Sequence, residues 1–397
     1  MRISSRTVQL QWLADVYRRQ AELARIQRQV SSGVRIQTAG DDPAGASQVV
    51  ALQQGLDRLV NFGANGEAAR RRLALEESAL DRFGDALARV RELAVQAGGG
   101  VQTQETRRAI AAEMRELRAG MIDTANVQDG EGRYVFAGTE VRGQPVTVVN
   151  GVATYSGDDG VRQQRISDTR TIREGDAGSE VFFAIRDGNG TFTVAAGAGN
   201  QGTAFFQSAT VTDTAAWVPD AYTLTFSAAD TYSVTDSLGA VVANGSWIPG
   251  ETITFRGASI SVAGQPLAGD SFAVTPSANR SVFTTIDRLI VALEGDSTSQ
   301  QGRASFQNAF NDALLGLDRA ELHLGGVRSQ VGARLAALEE QKSANDELAI
   351  QMRSTLSTVR DVNYPQAISD LETELTGLEA AQKVFAQTRS LSLFDLL

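Results

Sequence analysis

The side chains able to do chemistry are few. The sequence has no cysteine and one histidine, His323. Thiolate nucleophiles, disulfides, thiolate metal sites and iron–sulfur clusters are excluded. So is a His-rich metal site, or a Ser-His-Asp triad built away from His323. The nearest thing to a reactive pair is Asp41-Asp42, inside SSGVRIQTAGDDPAGAS, residues 31–47. Adjacent carboxylates could serve as acid and base, but no other reactive group lies near them in sequence. The local order fits structure better. Asp42 before Pro43 is a helix start, with Asp at the N-cap and Pro at the first helical position. Gly33 after Ser31-Ser32 is a left-handed helix stop. Val34-Arg35-Ile36 can run extended between them, so the stretch reads as stop, short link, start.

Other fragments of motifs lead the same way. Gly197-Ala198-Gly199-Asn200-Gln201-Gly202 matches G-x-G-x-x-G. A dinucleotide site needs a helix next, whose N-terminus faces the pyrophosphate; TAFFQSATVTDT follows instead and is strand-like. Asp187-Gly188-Asn189-Gly190-Thr191 begins like a calcium loop, but Phe192 and Ala198 stand where that loop needs Gly and Glu. It reads as a turn. Asn189 and Asn244 open sequons of a kind common by chance. His323, in ELHLGG, is expected to pack or cap at a helix end. No catalytic, cofactor or metal residue is expected, and the chain is not expected to be an enzyme.

The elements that carry these residues fall into three textures. Residues 7–128 read as helix, 134–276 as β, with Gly, Thr, Ser, Val and aromatics, and 282–385 as helix again. The expected fold class is α+β: an elongated bundle of long coiled-coil-like helices from both chain ends, with an inserted antiparallel β domain. Three parts follow: terminal helices at 1–40 and 361–397, a helical bundle with a β-hairpin at 41–140 and 283–360, and a projecting β domain at 141–282. In the β part, Asn244-Gly245 and Pro249-Gly250 are turn signals. GRYVFAG, residues 132–138, is expected to be the first strand leaving the helices.

Apolar residues recur at 3–4 spacing along the helical runs. Leu73, Leu80, Phe83, Leu87, Val90 and Ala94 form one such stripe, which reads as ordinary bundle core. The terminal stripes differ. Leu10, Leu13, Val16, Leu23, Ile26 and Val30 sit on one lone helix, and Ile368, Leu371, Leu375, Leu378 and Phe385 on another. A lone amphipathic helix is marginal in water, because nucleation is costly and its stripe lacks a cover. The terminal helices therefore need each other or a neighbouring subunit. Charge favours their pairing: residues 1–40 carry seven Arg against two acids, and 361–397 carry two bases against six acids.

Formal net charge is -10 and the sequence pI about 4.9, which opposes general nucleic-acid binding and charge-driven membrane binding. Apolar residues make up 42%, enough for a sizeable core. No apolar run has signal-peptide or bilayer-spanning length. A soluble chain is expected, exported, if at all, without a cleaved signal.

At this point SSGVRIQTAGDDPAGAS resembles the signature segment of the bacterial flagellin family, SSG-x-RI…A-x-DD-x-AG. Gln37 departs from it where Asn often follows RI. MRIS at the start, GRYVFAGT (residues 132–139) and LSLFDLL (residues 391–397) resemble the junction branch of that family more than its bulk filament subunit. The likeness covers both helical arms, about residues 1–140 and 283–397. GDSFAV, residues 269–274, resembles a phrase of flagellar axial proteins. The resemblance implies an extracellular axial protein exported by the flagellar type III apparatus, with terminal helices that form an inner tube and fold on assembly. Its implied partners are copies of itself in a ring, the first hook-associated protein, flagellin, and an export chaperone on the C-terminal helix. The assembly residues are then Leu13, Val16, Leu23, Ile26, Val30, Ile368, Leu371, Leu375, Leu378, Phe385, Leu391, Leu393, Phe394 and Leu397, with Gly33, Asp42 and Pro43 as the helix break. Two rival readings are flagellin itself and a secreted adhesin that stacks glycans on Trp217, Tyr222, Tyr232 and Trp247.

Overall fold

The computed structural model describes residues 5–99, 102–295 and 298–394. Among the described residues six α-helices carry the chain ends: α1 Ser5–Ser32, α2 Pro43–Gly98, α3 Gln104–Ala125, α4 Val282–Glu294, α5 Gln300–Arg360 and α6 Tyr364–Phe394. Between α3 and α4 run β1 Val146–Val149, β2 Val152–Tyr155, β3 Gln163–Arg165, β4 Thr171–Arg173, a π turn Ser179–Phe183, β5 Ile185–Arg186, β6 Phe192–Ala196, β7 Phe205–Val211, β8 Tyr222–Ala228, β9 Thr231–Thr235, β10 Val241–Ser246, β11 Thr252–Phe255, β12 Ala258–Ala263, β13 Ser271–Pro276 and β14 Asn279–Arg280. All strand pairings are antiparallel. This is the α+β class read from the sequence. The chain forms two compact units, residues 1–64 with 340–397, and residues 65–339.

The 65–339 unit holds two cores. The first is helical. Leu73, Leu80, Phe83, Leu87, Val90 and Ala94 of α2 are buried against Met114 and Met121 of α3, Phe283 and Leu289 of α4, and Leu317, Val327 and Val331 of α5. Phe182 lies within ring contact of Phe83, Phe136 and Phe283. The hairpins β1–β2 and β3–β4 bury Val146, Ala153, Ile166 and Ile172 in this same core. Residues 146–185 thus belong to the helical body, although composition assigned them to the β domain. Their strands are too short to build a core alone, and the helices supply one.

The second core lies among a five-stranded sheet, order β10-β9-β8-β13-β6, and a three-stranded sheet, order β11-β12-β7. The outer edge of β7 is closed by α5. Asn308 accepts from the Phe206 N–H at 3.0 Å and donates to Ala204 O, and Asn311 donates to Phe206 O at 2.7 Å. Helix side chains replace the missing neighbour strand. Asn308→Ala would leave the buried Phe206 N–H unpaired and should destabilise the protein by about 1–3 kcal/mol, read by denaturant unfolding, with faster exchange of that amide.

Three local expectations need correction. GRYVFAG is not a strand: Tyr134 makes one isolated bridge to Gln128, and Gly138 turns the chain at φ +72. Asp129 accepts from the Glu131 and Arg133 N–H groups and holds this segment as a loop. Asn244-Gly245 lies inside β10, where Gly245 sits under the Tyr232 ring; the turn before β10 is Asp236–Gly239. His323 stands inside α5, not at a helix end, and its Nε2 lies 2.8 Å from Glu180 O.

Candidate functional site

The candidate site is the 1–64 and 340–397 unit, where the terminal helices meet. α1 and α6 run antiparallel: Trp12 stacks on Phe385 with centroids 6.4 Å apart, and Arg19 pairs with Glu374 at 3.1 Å. Gly377 leaves room for the Arg19 guanidinium; an added Cβ would lie 2.6 Å from its Nη1. Other charges are met within one helix, Arg18 by Asp15 and Arg25 by Glu22. The Arg25 hydrogen bond holds the Glu22 carboxyl below its usual range, and Glu22 raises Arg25 in turn, with smaller pulls from Asp41 and Asp370. The opposite charges of the two helices thus act through Arg19–Glu374 and through longer-range attraction.

The apolar stripes are covered on one side only. Ile26 and Ala367 are buried. Val16, Leu23, Val30, Leu371, Leu378 and Phe385 are half-buried. Leu13 at 41%, Ile368 at 46% and Leu375 at 40% stay exposed, as do Leu10 and Tyr17. Leu397 lies outside the described residues, and so do the side chains of Leu391, Leu393 and Phe394.

Beyond the helix pair, the two inter-helix links zip together. Gly33 takes φ +73 and its N–H bonds to Gln29 O, ending α1. Val34 then bridges Asp361, the Arg35 N–H donates to Arg360 O at 2.7 Å, and the Val362 N–H donates to Gly33 O at 2.9 Å. The Asp pair divides its work. Asp41 accepts from the Gln37 and Thr38 N–H groups and from the Thr38 hydroxyl. Asp42 accepts from the Gly45 N–H at 2.9 Å, capping α2 ahead of Pro43. The Thr38 N–H holds Asp41 below the usual carboxylate range, and the Gly45 N–H does the same for Asp42. Both are anionic structural acceptors.

Three residues complete the link without having been singled out in the sequence. Gln29, buried, donates to Arg35 O at 2.6 Å. The Tyr364 hydroxyl lies 3.1 Å from where a Cβ on Gly33 would be. Gly45 is packed so closely by Ile36 and Asp42 that a Cβ would lie 2.5 Å from each. Only Gln29 left a trace, as a polar residue flanked by Ile26 and Val30. In the β domain, Trp247 and Tyr222 are buried in the core and unavailable for glycan stacking.

Paired terminal helices joined through a stop-link-start segment define a class. The model of the bacterial flagellin N-terminal helical region matches residues 3–141. Flagellin FlaB1 of Treponema pallidum is 29% identical over 122 residues, which is 31% of this chain. Flagellar hook-associated protein 3 of Salmonella typhimurium is 24% identical over 400 residues, covering 100% of this chain and 99% of the relative. The crystal structure of the flagellar junction protein FlgL from Legionella pneumophila is 33% identical, covers 79% of this chain and 100% of that one, and superposes with a TM-score of 0.72. The chain belongs to the flagellar hook-associated protein 3 (FlgL) family.

Proposed function

We propose that this chain is a structural component of the bacterial flagellar axis, the adaptor that joins the hook-side hook-associated protein to the flagellin filament. The observation that carries this reading is the extent of the match. The hook-associated relative aligns along the whole chain, β domain included, whereas the flagellin aligns with less than a third of it. Assembly proceeds by coupled folding: the exposed halves of the terminal stripes are buried against neighbouring copies, the first hook-associated protein and flagellin. Such heterologous contacts repeat around a helical lattice. The terminal helices at 1–40 and 361–397 form the inner tube, residues 41–185 and 283–360 the next layer, and the sheets between 192 and 276 the outer domain. Export uses the flagellar route without a cleaved signal, with a chaperone on the C-terminal helix.

Gold-labelled antibody against the chain should mark only the hook–filament boundary. A deletion strain should keep its hooks and release unpolymerised flagellin. Label along the whole filament would make the chain a flagellin instead.

A further inference from the structure

Glu76 is fully buried on α2, and Asp176, in the segment between β4 and the π turn, is 4% exposed. The Asp176 N–H donates to Glu76 Oε1 at 3.0 Å, so the two carboxyl groups share one buried cluster. Each keeps an oxygen with no hydrogen-bond partner, Glu76 Oε2 and Asp176 Oδ1. The surrounding cations hold Asp176 or groups outside the pair, and none is bonded to Glu76 among the described residues. Arg334 of α5 donates to Asp176 Oδ2 at 2.8 Å, and Arg173 lies 3.8 Å from Asp176 Oδ1. Arg72, a turn before Glu76 on α2, donates to Tyr134 O and pairs with Asp129, which also holds Arg133; Arg162 pairs with Glu174. No donor reaches Glu76 Oε2 among the described residues.

We propose that Glu76 and Asp176 form a proton latch: one proton held by this buried pair keeps the segment 175–177 seated on α2 and α5, and its loss loosens that segment. Two neighbouring buried carboxylates, of which Glu76 has one backbone donor and Asp176 one close arginine, are costly when both are ionised. The segment is close-fitting, since a Cβ on Gly175 would come within 3.3 Å of Glu76 Oε2. A cavity of about 10 Å³ lined by Arg72, Gly175 and Asp176 borders it, one water in size. The segment leads straight into the π turn, whose Phe182 fills the helical core, so loosening reaches that core.

The direction of the pH effect follows. Burial first, then the Asp176 charge, push Glu76 from its ordinary 4.5 up to about 8, opposed by the Asp176 N–H hydrogen bond and then by Arg334 and Arg72. The folded state therefore holds a proton that the unfolded chain has lost. The stabilisation is complete below 4.5 and disappears as pH rises toward about 8.

The test uses the full-length protein labelled with 13C-carboxyl Glu. A protonated-carboxyl infrared band should persist at about pH 6 and titrate away near 8, and Glu76→Gln should lack it. Exchange protection of the Asp176 amide should fall by up to about tenfold per pH unit across that window in the wild type and stay flat in the variant. Loss of the band below about pH 5.5, or equal protection profiles in both proteins, would overturn the latch. If Glu76→Gln does not fold, the wild-type band alone decides.

Discussion

Leu371→Asp and Leu378→Asp should each abolish incorporation into the flagellum while leaving the 65–339 unit, β domain included, folded. Both side chains are half-buried on α6, on the stripe whose neighbours Ile368 and Leu375 stay exposed. In the free chain the substitution removes a partial contact, and the carboxylate keeps access to water. In the proposed assembly the same position would be covered by another subunit. There the change forfeits about 1.5–3 kcal/mol of apolar burial per copy. It also places an unpaired carboxylate in a dry interface, a further cost of several kcal/mol. The penalty would repeat in every copy of the proposed ring. A deletion strain complemented with either variant should be non-motile and shed flagellin. The 65–339 unit should unfold at the same denaturant concentration as in the wild type. Leu238→Asp, at a 92% exposed turn of the β domain, is the matched control and should assemble normally. Motile filaments carrying Leu371→Asp would remove the terminal stripes from the mechanism.

The terminal stripes were legible because a 3–4 repeat of apolar residues has one structural meaning when it runs for several turns. The repeat of α2 from Leu73 to Ala94 is buried throughout, and Arg72, Asp81, Arg82, Arg89 and Arg91 stand beside its members. What the repeat cannot show is where an interior glycine fails to stop a helix. Gly325-Gly326 suggested an end at His323, yet α5 continues to Arg360. Each glycine costs about 1 kcal/mol in a helix interior. Burial of Leu324, Val327 and Val331 against the first core outweighs that cost. The hairpins at 146–173 show a second limit. Their alternation announces strands but not the core they serve, because that depends on helices far away in sequence.

The candidate site was legible in its punctuation and not in its closure. Asp42-Pro43 and Gly33 are short-range signals, since the chemistry of a cap or a positive φ is contained within a few residues. The zipper between Val34–Ile36 and Arg360–Val362 joins positions more than 300 residues apart. Its side chains, Tyr364 and Gln29, have ordinary identities, and only folding gives them a role.

That closure makes Gly33→Val the second large effect. Gly33 sits at φ +73, where a β-branched residue is strained by about 1–2 kcal/mol. Its Cβ would also lie 3.1 Å from the Tyr364 hydroxyl, tighter than ordinary contact, before the valine methyls are counted. Relief by moving Tyr364 shifts the first turn of α6. Relief by moving Gly33 breaks the hydrogen bond from the Val362 N–H to Gly33 O and the bridge beside it. Either route changes the direction in which α1 or α6 leaves its link. The expected result is a loss of about 1–2 kcal/mol or more in unfolding free energy of the 1–64 and 340–397 unit. Weakened protection of the Arg35 and Val362 amides should accompany it, together with impaired assembly. Gly33→Asn, which tolerates positive φ better, should recover part of the stability. Tyr364→Ala should recover part of the Gly33→Val defect if the contact, rather than the backbone, dominates. A Gly33→Val protein with wild-type stability and normal motility would mean that the left-handed stop is not what directs the terminal helix.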